Sequence, residues 1–132
     1  MEIRPYSHYK ESEIIPLYRS VGWSNYFDHP EMLEKGFVHS LCILGAWEED
    51  CLVGLIRAVG DGHSIVFIQD LLVHPDHQRR GIGSALMKQL LRRYAHVYQI
   101  QLVTDNTEKT KAFYRSMGFE PLEYYDCCAF IK

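Results

Sequence analysis

The stretch Gln78-Arg79-Arg80-Gly81-Ile82-Gly83-Ser84 combines positive charge with two glycines, directly after the apolar run SIVFIQDLLV and before a helical pattern. Glycines before a helix let backbone amides approach a ligand with no side chain in the way. A helix N-terminus adds unpaired N–H groups and the positive end of the dipole. Together these features suit a phosphate or pyrophosphate, with Arg79 and Arg80 supplying screening charge. GxG alone also serves to start a helix beside exposed arginines, so the pattern has to be tested against known phosphate loops. A P-loop needs GxxxxGK[ST], and no Lys-Ser or Lys-Thr follows these glycines. The dinucleotide fingerprint wants a third glycine where Leu86 stands, and a first glycine at the strand end, yet His74 to Arg80 intervene.

Other chemistry is thinly represented. Cys42, Cys51, Cys127 and Cys128 form no CxxC pair, and of seven histidines only His74 and His77 make a close couple. No metal site is expected, because a second spaced Cys or His pair is missing. Formal net charge is -3, which excludes a global basic field for nucleic acid and confines anion binding to a local loop. No apolar run approaches a membrane span, and the N-terminus MEIRPYSHYKESE lacks a signal-peptide core. A cytoplasmic location follows as the default expectation. A chain of 132 residues suits one domain over residues 1–132 and can bury a core without staples.

The elements that must hold the loop are readable from periodicity. Ile3 to Pro5 suits a short edge strand. Glu11 to Val21 has Ile14, Leu17, Tyr18 and Val21 on one helical face. GWSNYFDHP reads as a loop, and Pro30 begins a shorter helix to about Val38. Leu41 to Trp47, Cys51 to Val59 and Ser64 to Val73 are β-rich runs separated by EED and GDG turns, a three-strand antiparallel meander. Gly81 to Ala95 is amphipathic, and Val97 to Val103 returns as a strand parallel to its predecessor. Thr107 to Met117 follows as a helix with Asp105 as its expected cap and Gly118 as its stop. Leu122 to Ile131 is expected as a final strand or hairpin arm. The reading is one α+β domain with a mixed sheet.

With both motifs in view, VHPDHQRRGIGSALM resembles the acetyl-CoA-binding segment of the GCN5-related N-acetyltransferases, whose signature is Gln/Arg-x-x-Gly-x-Gly/Ala. KAFYRSMGF, Lys111 to Phe119, is similar to the family's second recognisable stretch, and element order agrees over nearly the whole chain. The resemblance implies a three-layer domain of about four helices on a mostly antiparallel sheet, with central splayed parallel strands. It implies N-acetyl transfer from acetyl-CoA to a primary amine by direct attack in a ternary complex.

Residue by residue, the resemblance implies that Leu71, Leu72 and Val73 meet pantetheine through backbone groups. Gln78, Arg79, Arg80, Gly81, Ile82, Gly83 and Ser84 would hold the pyrophosphate. Tyr114 stands where many members place a tyrosine acid that protonates the departing thiolate; packing beside Phe113 and Met117 is its plain structural alternative. Where many members carry an asparagine seven residues before that tyrosine, this chain has Thr107, with Asn106 one earlier. Asp70 is the best-placed carboxylate for a general base, alternatively a polar group that caps a bulge or a counter-ion to the acceptor amine; His74, Tyr124 and Asp126 are further options. Trp23, Tyr26, Phe27 and Tyr124, with Tyr125, make an aromatic acceptor wall suited to flat or cationic amines, or else lid packing. The compact chain leans to a small-molecule acceptor. A protein N-terminus or lysine, and a non-catalytic CoA-binding module, are the alternatives, and family members often form homodimers.

Overall fold

A computed structural model describes all residues 1–132. By internal packing the chain divides into two compact units, Met1–Gln101 and Leu102–Lys132. The first carries β1 (Glu2–Pro5), α1 (Glu11–Ser20), α2 (Ser24–Phe27), α3 (Pro30–Val38), β2 (Cys42–Glu48), β3 (Cys51–Gly60), β4 (Ile65–Val73) and α4 (Ile82–Arg93). β5 (Gln99–Leu102) ends at the division, and α5 (Glu108–Ser116) lies in the second unit.

The sheet runs in the order β1-β2-β3-β4-β5. The first four strands are antiparallel neighbours, and β4 and β5 are parallel, as a helical crossover requires. The β2–β3 turn uses Glu49 and Asp50, with Glu49 at φ 55. The β3–β4 connection leaves the ladder at Gly60, whose φ of 133 and close approach to the Ile65 carbonyl exclude a side chain. Asp61 then caps the turn by accepting from the amides of His63, Ser64 and Ile65 at 2.8, 2.8 and 3.1 Å.

Alternation along β3 divides its side chains between two layers. Leu55 faces α1 and α3 in a core with Tyr6, Ile14, Leu17, Tyr18, Leu33, Phe37, Trp47, Leu52 and Leu72. The opposite face carries α4, which buries Ile82, Leu86, Met87 and Leu90. Gly54 lets α4 come close: a Cβ there would stand 3.1 Å from Ile82 Cγ2 and 3.4 Å from Leu86 Cδ1. No helix is long and apolar enough to cross a membrane.

Three local expectations change. The segment after Gly22 is not an open loop: Ser24–Phe27 closes one helical turn, because Trp23, Tyr26 and Phe27 fold back against the core. The cap of α5 is Thr107, whose Oγ1 accepts from the Thr110 amide at 3.2 Å, in place of Asp105. Residues 122–125 coil into a 3-10 turn in place of the last strand. Pro121 fixes its entry, Tyr124 donates to the Pro121 carbonyl, and Asp126 is left-handed at φ 58, so local hydrogen bonds override the β-like composition.

Ile14 is fully buried between α1 and the sheet. Ile14→Ala should lower stability by about 2–5 kcal/mol, read as a shifted urea midpoint at unchanged m-value.

Candidate active site

β4 delivers the chain to the glycine loop through a 3-10 turn, Pro75–His77. The His74 Nδ1 accepts from the Asp76 amide at 3.1 Å, and the Gln78 amide side chain donates to the Val73 carbonyl at 3.0 Å. Gln78 therefore ties the loop back to the strand end. Arg79 (φ 65) and Gly81 (φ 80) are both left-handed, which wraps the backbone around the mouth of α4. No atom lies within 4 Å of where a Gly81 Cβ would stand. The first helical bond runs from the Ala85 amide to the Gly81 carbonyl at 2.9 Å, so the amides of Ile82, Gly83 and Ser84 are first-turn donors without intrahelical partners. The Arg80 guanidinium lies 3.5 Å from His77 Nδ1. This open cradle fits an anion such as a pyrophosphate.

Leu71, Leu72 and Val73 lie on β4 just before the loop, with Leu72 buried and its neighbours half-buried. Asp70 precedes them and is 2 % exposed. Its Oδ2 accepts from Arg57 Nε at 2.7 Å and from the Tyr18 hydroxyl at 2.8 Å. The Arg57 Nη1 reaches Ser40 Oγ at 3.2 Å, and its guanidinium lies 5.5 Å from the Phe37 ring and 6.0 Å from the Tyr26 ring. Gly36 on α3 leaves room for it, since a Cβ there would stand 3.3 Å from Nη1. Burial opposes the charge on Arg57, but the Asp70 carboxylate outweighs it and keeps the guanidinium protonated. Burial first, and then Asp70, push the Tyr18 phenol far above its ordinary value, so Tyr18 is a fixed donor.

Arg57 and Tyr18 were not singled out by sequence reasoning. A signal existed: CLVGLIRAV and SIVFIQDLLV are adjacent apolar strands, each interrupted by one charge of opposite sign. Gln69 was also missed. Its Nε2 donates to the Tyr26 hydroxyl at 2.9 Å.

Of the expected aromatic wall, Tyr26 alone reaches β4 by a hydrogen bond. Trp23 packs edge-on to Tyr18 at 6.0 Å, and the Phe27 face is covered by Arg19 at 5.1 Å. In the second unit, Tyr124 is 71 % exposed and pairs edge-on with Tyr125. Tyr114 on α5 packs edge-on with Phe113 and Phe119 at 5.0 and 6.0 Å. Burial pushes its phenol above the ordinary value; the Thr104 bond lowers it and Asp105 raises it. The hydroxyl is therefore protonated at neutral pH. Among the His, Cys, Asp and Glu side chains, no group of three could hold a metal ion.

The side chains of Arg57 and Asp70 are 7 % and 1 % exposed. Arg57→Ala leaves the carboxylate buried without its cation and should cost about 3–5 kcal/mol, measured by chemical denaturation.

The model of the Acetyltransferase (GNAT) family matches residues 6–119. An uncharacterized N-acetyltransferase ycf52-like from Prochlorococcus marinus is 31% identical over 123 residues, 89% of this chain and 67% of that protein. The histone acetyltransferase TAP1 of Glycine max is 36% identical over 75 residues, 55% of this chain and 32% of that protein. The chain thus spans from about a third to two thirds of the length of these relatives. Among solved structures, an acetyltransferase, GNAT family protein, from Streptococcus pneumoniae TIGR4 superposes with a TM-score of 0.90 at 50% identity, covering 99% of this chain and 96% of that one. The aminoglycoside acetyltransferase AAC(6')-Iy, solved with the bisubstrate analog CoA-S-monomethyl-acetylneamine, shares the fold at a TM-score of 0.76 and 16% identity, over 99% and 96% of the two chains. The signature loop, the element order and these matches agree: the chain belongs to the acetyltransferase (GNAT) family.

Proposed function

We propose that the chain moves the acetyl group of acetyl-CoA to a primary amine of a small molecule, by direct attack while both are bound. The observation that carries this reading is the cradle at the mouth of α4, where Arg79 and Gly81 are left-handed on either side of Arg80, one 3-10 turn downstream of β4. Its open amides and two arginines suit the pyrophosphate, and backbone groups of Leu71 to Val73 suit the amides of pantetheine. The thioester supplies an acyl group activated toward amines.

The reaction forms a C–N bond and breaks the C–S bond. The amine must shed a proton, and the departing thiolate must gain one. Asp70 is the proposed anionic group on the amine side. Its Oδ2 is engaged by Arg57 and Tyr18, so any exchange with the amine passes through the other oxygen or through water. The exposed Gln69 and the Tyr26 hydroxyl bonded to it form the polar part of the proposed acceptor wall, with Trp23 and Phe27 as apolar parts. Tyr114 is the proposed acid. Burial raises its phenol above the ordinary value, so it is a weaker acid than an ordinary thiol of about 8.5. The transfer to the thiolate is uphill, and it is completed as the phenolate regains a proton from water.

Calorimetry should show one-to-one binding of acetyl-CoA and CoA, with none of NADH; binding of NADH alone would refute the cradle's assignment. Tyr114→Phe should leave acetyl-CoA affinity unchanged and reduce thiol release across a panel of primary amines by about 10²-fold. A chain that binds CoA, yet releases no thiol with any amine, is a binding module instead of an enzyme.

A further inference from the structure

The Arg57–Asp70 pair sits where the β3–β4 ladder changes register. Arg57 opposes Asp70 and Ala58 opposes Ile68, so Gln69 is left without a partner and forms a bulge on β4. Bulges re-aim side chains and sharpen local twist. Apolar residues occupy both faces of β4 on either side of this point, in IVFI before it and LLV after it. A slip of one residue would exchange faces while keeping apolar side chains on each, so hydrophobicity alone discriminates poorly between registers. One buried ionic contact discriminates well, because only one register brings the carboxylate to the guanidinium. Fixing register is the best-attested role of a buried polar group, whereas its contribution to net stability is weak.

We propose that Arg57 is a positioning residue for the carrier site: held on Asp70, it fixes the bulge at Gln69 and thereby sets the register of Leu71–Val73. This rests on the reading of Leu71–Val73 as the segment that meets pantetheine. The surroundings of Arg57 are built to hold it still. α3 omits a side chain at Gly36, Ser40 fixes one end of the guanidinium, and Tyr18 bonds the same carboxylate oxygen. The Gln69 side chain is then delivered to Tyr26, so one buried contact orients both the strand segment and the polar rim beside it.

The test replaces the pair by apolar residues of similar size, Arg57→Met with Asp70→Leu, in the full chain. A purely structural pair so replaced leaves stability and binding intact. The expected result is a cooperative thermal transition near or above that of the original protein. Affinity for acetyl-CoA should fall about tenfold or more by calorimetry. Amide exchange should be faster over residues 69–73 and unchanged in α4. A folded double variant that binds acetyl-CoA as tightly as the original, with unchanged exchange over 69–73, overturns the proposal. Should the double variant fail to fold, Tyr18→Phe removes one bond to Oδ2 and should weaken acetyl-CoA binding about fivefold; unchanged affinity and unchanged exchange over 69–73 would then overturn it. If the unsubstituted chain does not bind acetyl-CoA, the carrier reading fails, and the exchange data still decide whether Arg57 sets the register.

Discussion

A buried charge pair is the constraint around which the N-terminal unit is arranged. Arg57 and Asp70 stand on neighbouring strands beneath a helical layer. Two ions taken out of water are tolerated only when each meets the other and the remaining donors are satisfied. Tyr18 from α1, Ser40 after α3 and the rings of Phe37 and Tyr26 meet those demands. Three helices must therefore converge on one point of the sheet, which leaves little freedom in how they lie across it. The apolar core around Leu55 and Leu72 provides the bulk of the burial, while the ions specify the alignment.

The anion cradle has a different physical basis. It contains no buried charge; it depends on backbone dihedrals. Arg79 and Gly81, left-handed on either side of Arg80, turn the chain into α4, whose first amides have no intrahelical partners. Gln78 reinforces that turn by bonding back to Val73. Arginine in a left-handed conformation is uncommon, and Arg79 shows that the turn is held by its surroundings as well as by glycine.

Most of the fold was legible because its signals are local and periodic. Helical spacing of Ile14, Leu17 and Tyr18, and the long apolar run ending at Val73, correspond to α1 and β4. The glycine loop was legible as chemistry, since its residue types do the same thing in many contexts. What escaped were features decided by tertiary neighbours. Tyr26 and Trp23 look alike in the sequence as exposed aromatics, yet ring packing against Tyr18 turned their segment into a helical turn. Asp70 was visible, but the partner that consumes one of its oxygens lies thirteen positions away on another strand. Nothing in the spacing of Leu122 to Ile131 announces that Pro121 and Asp126 close a turn there.

Gly54 carries a consequence for how this chain tolerates change. At Gly22, Gly81 and Gly118 nothing stands within 4 Å of an added Cβ, so the constraint there is conformational. At Gly54 the constraint is one of clearance, because Ile82 and Leu86 rest directly on the bare strand. Ile82 is also the first residue of the helix whose amides form the cradle. A side chain at position 54 makes Ile82 or Leu86 give way by a few tenths of an ångström, so an inconspicuous substitution on the strand beneath α4 would be felt at the helix end that forms the anion site. Mutational sensitivity in this molecule need not follow distance from the chemistry.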